Sequence, residues 1–442
     1  MRFDFTVNDL SLWLMLILMI WVWLDRSLYS ATKENSEVIS FNPSEEEKLK
    51  NCFPNSVYGF RNLEYGARHI YCFGKLRSRN LKYTYELVNR NIQEAFGDRF
   101  ICYLQEMPMM QSNVYIGHSL VDDFDRESSL PNYCFCLQVK EIVDRIDNQL
   151  TQKIVNWRIL SLVSFVVTAA VLSIIGANNM QSLSQNLGWQ SDRLLAQLAQ
   201  GVPYALGVMS VLMGRAIATY YVSRKYQIPM GTPIYLPWLN EFGILSSLNL
   251  TPARPLLSSL GVTQQRKIIF DLAAYPHITG ILISVFLLVL GNWIFIPSQP
   301  PVLDLSFHSS LLIMAIHRGL QMLTPQTTYL SPLTLAGWTG LILNAMQILP
   351  WRFWDGQNLC MAMYGYYQTI QIARISRLVI FAIAVVLQPW LRIYSLFLFI
   401  LPMPRPLILN EGIEINRNRD YLGLTLMAIA LLTLLPAPKF LW

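Results

Sequence analysis

Two charged side chains stand where the surrounding sequence makes charge expensive. Arg215 interrupts the apolar run GVPYALGVMSVLMGRAIATYYVS, and Asp355 closes NAMQILPWRFWDG just past another. Ionisable groups at membrane depth are costly and mark a partner, a cavity or a function. A carboxylate there can bind a metal, carry a proton or neutralise a cation. A guanidinium stays charged, so it must pair or reach water. None of the five histidines (His69, His118, His277, His308, His317) has a partner at helical ligand spacing, so none forms a two-histidine metal clasp on one helix face. Cys52, Cys72, Cys102, Cys134, Cys136 and Cys360 contain no CxxC pair and read as reduced core thiols. In YCFC, Cys134 and Cys136 alternate as on one face of a strand. Arg392, just past Pro389, reads as a snorkelling interfacial residue.

The elements that must position these groups follow from composition. Of 442 residues 53% are hydrophobic and only 14% charged, against about a quarter charged in soluble domains. Apolar runs at 10–24, 159–177, 201–223, 278–296, 333–349, 378–401 and 421–435 approach the roughly 20 residues a span requires. The predicted architecture is a polytopic α-helical membrane protein of about 6–8 spans. Residues 1–29 form an N-terminal anchor: the 10–24 run lacks a basic leader and a small-residue cleavage site. Residues 30–150 form a small soluble α/β domain, and 151–442 the transmembrane domain. Within the polar stretch HIYCFGKL, RFICYLQEM and NYCFCLQV read as strands. LKYTYELVNRNIQEAF reads as a helix stopped by Gly97, and SEEEKLK as a helix capped by Ser44. NLCMAMYGYYQTIQIARISR reads as an interfacial or packed helix. The run 378–401 is either one span or a hairpin broken at Pro389.

The net charge of +6 belongs to loops, not to nucleic-acid binding, because no basic run tracks a phosphate backbone. Placing the soluble domain in the cytoplasm puts Lys140, Arg145, Lys153, Arg158, Arg224, Lys225, Arg254, Arg266, Lys267, Arg352, Arg374 and Arg377 on its side and leaves Arg193, Arg318 and Lys439 opposite. No internal repeat of the transporter kind is visible.

The stretch LSPLTLAGWTGLILNAMQILPWRFWDGQN resembles the second signature of the site-2 protease family of intramembrane zinc metalloproteases, closest to its cyanobacterial and plastid branch. In that family an Asn-x-x-Pro stretch leads into Leu-Asp-Gly, whose aspartate is the third zinc ligand. Pro350, Asp355 and Gly356 match the signature, while Gln347 replaces its asparagine and Trp354 its leucine. FDLAAYPHITG, SRKYQIPMGTPIYLPW, CFPNSVYGFRNLEYG and the C-terminal QPWLRIYSLFLFILPMPRPLILNEGIEINRNRDYLG extend the likeness over roughly residues 50–438. The family's chemistry needs His-Glu-x-x-His, two zinc ligands and a general base. The resemblance places those positions on RAIAT: Arg215 and Thr219 stand for the histidines, and Ala216 for the glutamate. No His-Glu-x-x-His occurs elsewhere in the chain.

The resemblance therefore implies a degenerate member that binds or regulates membrane proteins without cutting them. Its partners would be membrane-protein clients, the bilayer and an active protease relative. No cofactor is expected, with Asp355 the remnant of the metal site and Arg215 a candidate to pair with it. The alternatives are an active zinc-dependent endopeptidase with a non-standard site, for which His277 and His317 are conceivable ligands, and a transporter or channel. The setting implied is a cyanobacterial plasma or thylakoid membrane, or a plastid. The loop GTPIYLPW is either an edge for β-augmentation by a client or a packed connector.

Overall fold

The structure is a computed structural model; it describes residues 41–65, 70–107, 132–140, 158–182, 194–228, 233, 235, 265–293, 310–323, 331–351, 354–386, 395 and 415–437. The expected anchor at 1–29, Pro389 and Arg392 lie outside these residues.

The N-terminal part is a four-stranded sheet with two helices. α1 (Pro43–Asn51) is capped by Asn42 rather than Ser44. Pro43 takes the first helical position, where its missing N–H costs nothing, and Glu45 accepts the Asn42 backbone N–H at 3.2 Å. α2 (Leu81–Phe96) starts at Asn80, whose side chain accepts from the Tyr83 N–H at 3.0 Å, and stops at Gly97 with φ 60°. The strands β1 (Tyr58–Tyr65), β2 (Ile70–Leu76), β3 (Phe100–Met107) and β4 (Asn132–Val139) lie in the order β1-β2-β4-β3, each neighbouring pair antiparallel. β2 and β3 therefore run parallel on either side of β4, with α2 as the crossover. β1 escapes the sequence pattern because Arg61 and Glu64 interrupt its alternation and its register shifts between Phe60 and Asn62. Tyr58, Ile70, Val88, Ile92, Leu104 and Phe135 fill the core.

All six cysteines are free and buried. Burial pushes the thiols of Cys72, Cys102 and Cys136 well above their ordinary value. The unfolded chain loses these protons near pH 8.5 and the folded domain does not. Their contribution to stability is thus complete below about pH 8.5 and declines as pH rises beyond it. Iodoacetamide at pH 8 is expected to leave the three unmodified in the native protein and to alkylate them after denaturation, as read by peptide mass spectrometry. Native labelling at the denatured rate would contradict this packing.

The apolar part contains α3 (Arg158–Ser182), α4 (Leu194–Lys225), α5 (Gln265–Trp293), α6 (Leu311–Leu323), α7 (Pro332–Gln347), α8 (Asp355–Val386) and α9 (Arg417–Leu434). Among the described residues three stretches, Gly201–Lys225, Arg266–Trp293 and Asp355–Val386, are long and apolar enough to cross a membrane, and Ser161–Ala177 is apolar but shorter. Their shared core includes Leu212, Phe270, Trp338, Leu341 and Met361.

Three departures from the sequence pattern have physical causes. α5 begins at Gln265 rather than 278, running through Asp271 and Pro276. Asp271 is tolerated because Arg419 grips both its oxygens at 2.9 and 3.2 Å and the Tyr226 hydroxyl donates to it at 2.6 Å. This clamp ties the ends of α4, α5 and α9 together. α6 is too short for a span and carries His317 and Arg318, so hydropathy alone passes over it. α8 absorbs both the expected interfacial helix and the start of the 378–401 run, but Gly365 divides it. Its φ of 80° and ψ of 178° suit glycine alone, so residues 355–364 and 366–386 are two helices meeting at a sharp bend.

Candidate functional site

The turn between α7 and α8 delivers Asp355. Trp351 is fully buried, packs at a tilt against Trp354 at 4.6 Å between centroids, and donates its indole N–H to the Ser376 hydroxyl at 3.2 Å. That bond fastens the second half of α8 to the turn, just after Pro350. Asp355 then opens α8, where the helix dipole favours a carboxylate. Gly356 follows for a steric reason. A Cβ there would fall 1.9 Å from the Ile348 carbonyl oxygen, so any side chain would drive the two segments apart.

Arg215 sits in α4, ten residues before Lys225, hence about 15 Å from the basic end of the helix. Its side chain is 1% exposed. One guanidinium nitrogen, Nη2, donates to Asp355 Oδ2 at 2.9 Å. The other, Nη1, donates to Asn344 Oδ1 on α7. Asn344 is itself oriented by its Nδ2–H, which donates to the Gly340 carbonyl at 2.8 Å and turns the amide oxygen toward the arginine. His277 on α5 completes the cluster, with Nδ1 3.9 Å from Asp355 Oδ2. Its Nδ1 is 2.8 Å from the Ala273 carbonyl oxygen, which can only accept, so that nitrogen carries a proton.

Four helices therefore converge on one guanidinium. Arg215, Asn344 and His277 are sealed, while the Asp355 side chain keeps 31% exposure. Thr219 lies one turn beyond Arg215 and returns its hydroxyl to the Arg215 carbonyl at 2.9 Å. Ala216 is half-buried and brings no polar group. The side chain of His317 is outside the described residues.

Sequence reasoning overlooked Asn344. Its signal was an amide inside the apolar run TGLILNAM, costly in a membrane unless satisfied. Gly280 on α5 makes room for it: a Cβ there would fall 2.3 Å from Asn344 Oδ1. Gly280→Ala is expected to displace the amide and lower stability by about 1–3 kcal/mol. Asn344→Ala on top should recover part of that loss in thermal unfolding; strict additivity would show that the two sites are independent.

The residues present do not fit a catalytic zinc. Such sites use three protein ligands and an open position, whereas the two oxygens facing the centre, on Asp355 and Asn344, are engaged by a cation. Among the described residues no group of three or more His, Cys, Asp or Glu could hold a metal. In the GTPIYLPW loop, Pro233 and Tyr235 are described. Ser161 donates to the Pro233 carbonyl at 2.5 Å, the Tyr235 N–H donates to Ser164 at 3.1 Å, and Thr168 donates to the Tyr235 carbonyl at 3.3 Å. At these residues the backbone is packed on hydroxyls of α3.

Comparison with known proteins gives a consistent set of relatives. The chain is similar to probable zinc metalloprotease EGY2, chloroplastic, of Oryza sativa subsp. indica: 23% identical over 398 residues, covering 87% of this chain and 65% of the relative. The EGY2 protein of Arabidopsis thaliana is 22% identical over 396 residues, covering 86% of this chain and 64% of the relative. EGY1 of Arabidopsis thaliana is 23% identical over 248 residues, covering 53% of this chain and 43% of the relative. The chain thus spans about two thirds of the length of the EGY2 relatives. No family model and no solved structure matches it.

Proposed function

We propose that this chain, a site-2-protease-type relative of zinc metalloproteases, does not cut peptide bonds and instead binds or regulates membrane proteins. The observation that carries the reading is the Arg215 guanidinium between Asp355 and Asn344. By resemblance Arg215 holds the place of a zinc-ligating histidine and Asp355 that of the third ligand. A permanent cation there neutralises the carboxylate and repels a divalent ion. Ala216 supplies no general base in place of the glutamate, and Thr219 spends its hydroxyl on the helix backbone.

The partners would be membrane-protein clients or an active relative of the same fold. Asp355, the exposed member of the cluster, is where a client's donor groups could reach it. The names of the relatives favour a plastid membrane, and the loop cations favour the cytoplasmic or stromal side for the soluble sheet. A transporter reading would need water at Arg215, which is 1% exposed.

The test is metal analysis of the purified full chain together with a cleavage assay on a model membrane substrate. Background zinc and no cleavage are expected. Stoichiometric zinc, or cleavage abolished by a zinc chelator, would establish the active-peptidase alternative.

A further inference from the structure

α4 ends on Arg224 and Lys225, and Lys267 lies in the first turn of α5. Val222 and Ile228 pack on Ile268 and Leu272, which holds these two helix ends together. All three cations are exposed, and among the described residues none is paired with a carboxylate. The acid at this end, Asp271, is buried and already taken by Arg419 and Tyr226.

Tyrosines orient two of these cations without neutralising them. The Arg224 Nε–H donates to the Tyr220 hydroxyl at 2.8 Å, with the guanidinium carbon 5.5 Å from that ring's centroid. Among the described residues the two Nη groups have no hydrogen-bond partner. Lys225 Nζ lies 5.6 Å from the Tyr226 ring, itself anchored on Asp271. Tyr220 and Tyr221 stay exposed, at 57% and 69%, at one end of a helix long enough to cross a membrane. Exposed aromatic rings in that position mark the headgroup level of a bilayer. The unpaired cations sit at that level.

We propose that the joined ends of α4 and α5 bind the headgroup of an anionic lipid. Arg224 supplies the bidentate fork for a phosphate group, and Lys225 and Lys267 supply two further positive charges. Three exposed cations beside an Asp271 already held by Arg419 and Tyr226 give the site its charge selectivity.

The experiment measures lipid retained by the full chain in nanodiscs of phosphatidylcholine doped with phosphatidylglycerol, read by native mass spectrometry. Phosphatidylglycerol is expected to be retained in preference. Arg224→Gln, Lys225→Gln and Lys267→Gln should each lower the preference about fivefold, and together on the order of a hundredfold. Lys225→Arg with Lys267→Arg should keep the preference, and an unchanged melting temperature shows that the glutamine variants are folded. Should those variants unfold, loss of phosphatidylglycerol retention by the arginine pair would overturn the proposal. Equal retention of the two lipids would overturn it, as would a triple glutamine variant that still prefers phosphatidylglycerol. Inorganic phosphate displacing the lipid at equal concentration would make this a free-anion site and reject the lipid. Capture of polyglutamate without any lipid preference would reject it in favour of an acidic protein segment.

Discussion

Asp355→Ala is expected to destabilise the purified protein more than Arg215→Met, by about 5 against about 3 kcal/mol, and the double substitution Arg215→Met with Asp355→Leu to recover most of either loss. The order follows from burial. Removing Asp355 strands a guanidinium that is 1% exposed. Removing Arg215 strands a carboxylate that keeps 31% exposure and can hydrate. Removing both leaves an apolar contact, and a buried ion pair is seldom better than one. Arg215→Met also takes the donor from Asn344, which adds about 1 kcal/mol to the single loss and persists in the double. Thermal or denaturant unfolding in detergent measures the cycle. Additive losses would mean that the contact carries no coupling, and a milder effect for Asp355→Ala would overturn the order argued from burial.

Restoring His-Glu-x-x-His through Arg215→His, Ala216→Glu and Thr219→His is expected to raise bound zinc from background to about one ion per chain. Arg215 and Thr219 are four residues apart on α4, so both imidazoles would share a face. Asp355 already lies 2.9 Å from the group that would be replaced. Loss of the guanidinium removes the charge that opposes the ion and frees the carboxylate to complete a three-ligand set with one open position. Metal analysis after dialysis measures the gain, and Asp355→Ala in this background should abolish it. If zinc stays at background in a folded triple variant, the family positions assigned to RAIAT are wrong. Arg215→His alone should bind far less, because one histidine and one aspartate do not retain zinc against dialysis.

Much of this was legible in the residues. Period-2 alternation marked β2, β3 and β4, and Gly97 ends α2 where cap chemistry says it should. Apolar runs placed the cores of α3, α4, α7 and α9. Ends were harder wherever a polar group is satisfied at long range. Asp271 made the start of α5 look like a loop because its partner, Arg419, is 148 positions away. Gly365 bends α8 through a backbone conformation that hydropathy cannot register. At the site, Arg215 and Asp355 stood out because charge in an apolar run is conspicuous. Asn344 and Gly280 did not, because an amide and the space cleared for it are visible as a pair only after α5 and α7 are packed.

Under the proposed function, the guanidinium clasp would also act as an evolutionary ratchet. While Asp355 serves as a metal ligand, function preserves it; once Arg215 leans on it, stability preserves it instead, with no catalysis required. A lineage reverting Arg215 to histidine first meets an unpaired carboxylate and an undonated amide, before any second imidazole or base exists to reward the step. The aspartate that most resembles an active peptidase is, on this reading, the residue that keeps the chain from drifting back to one.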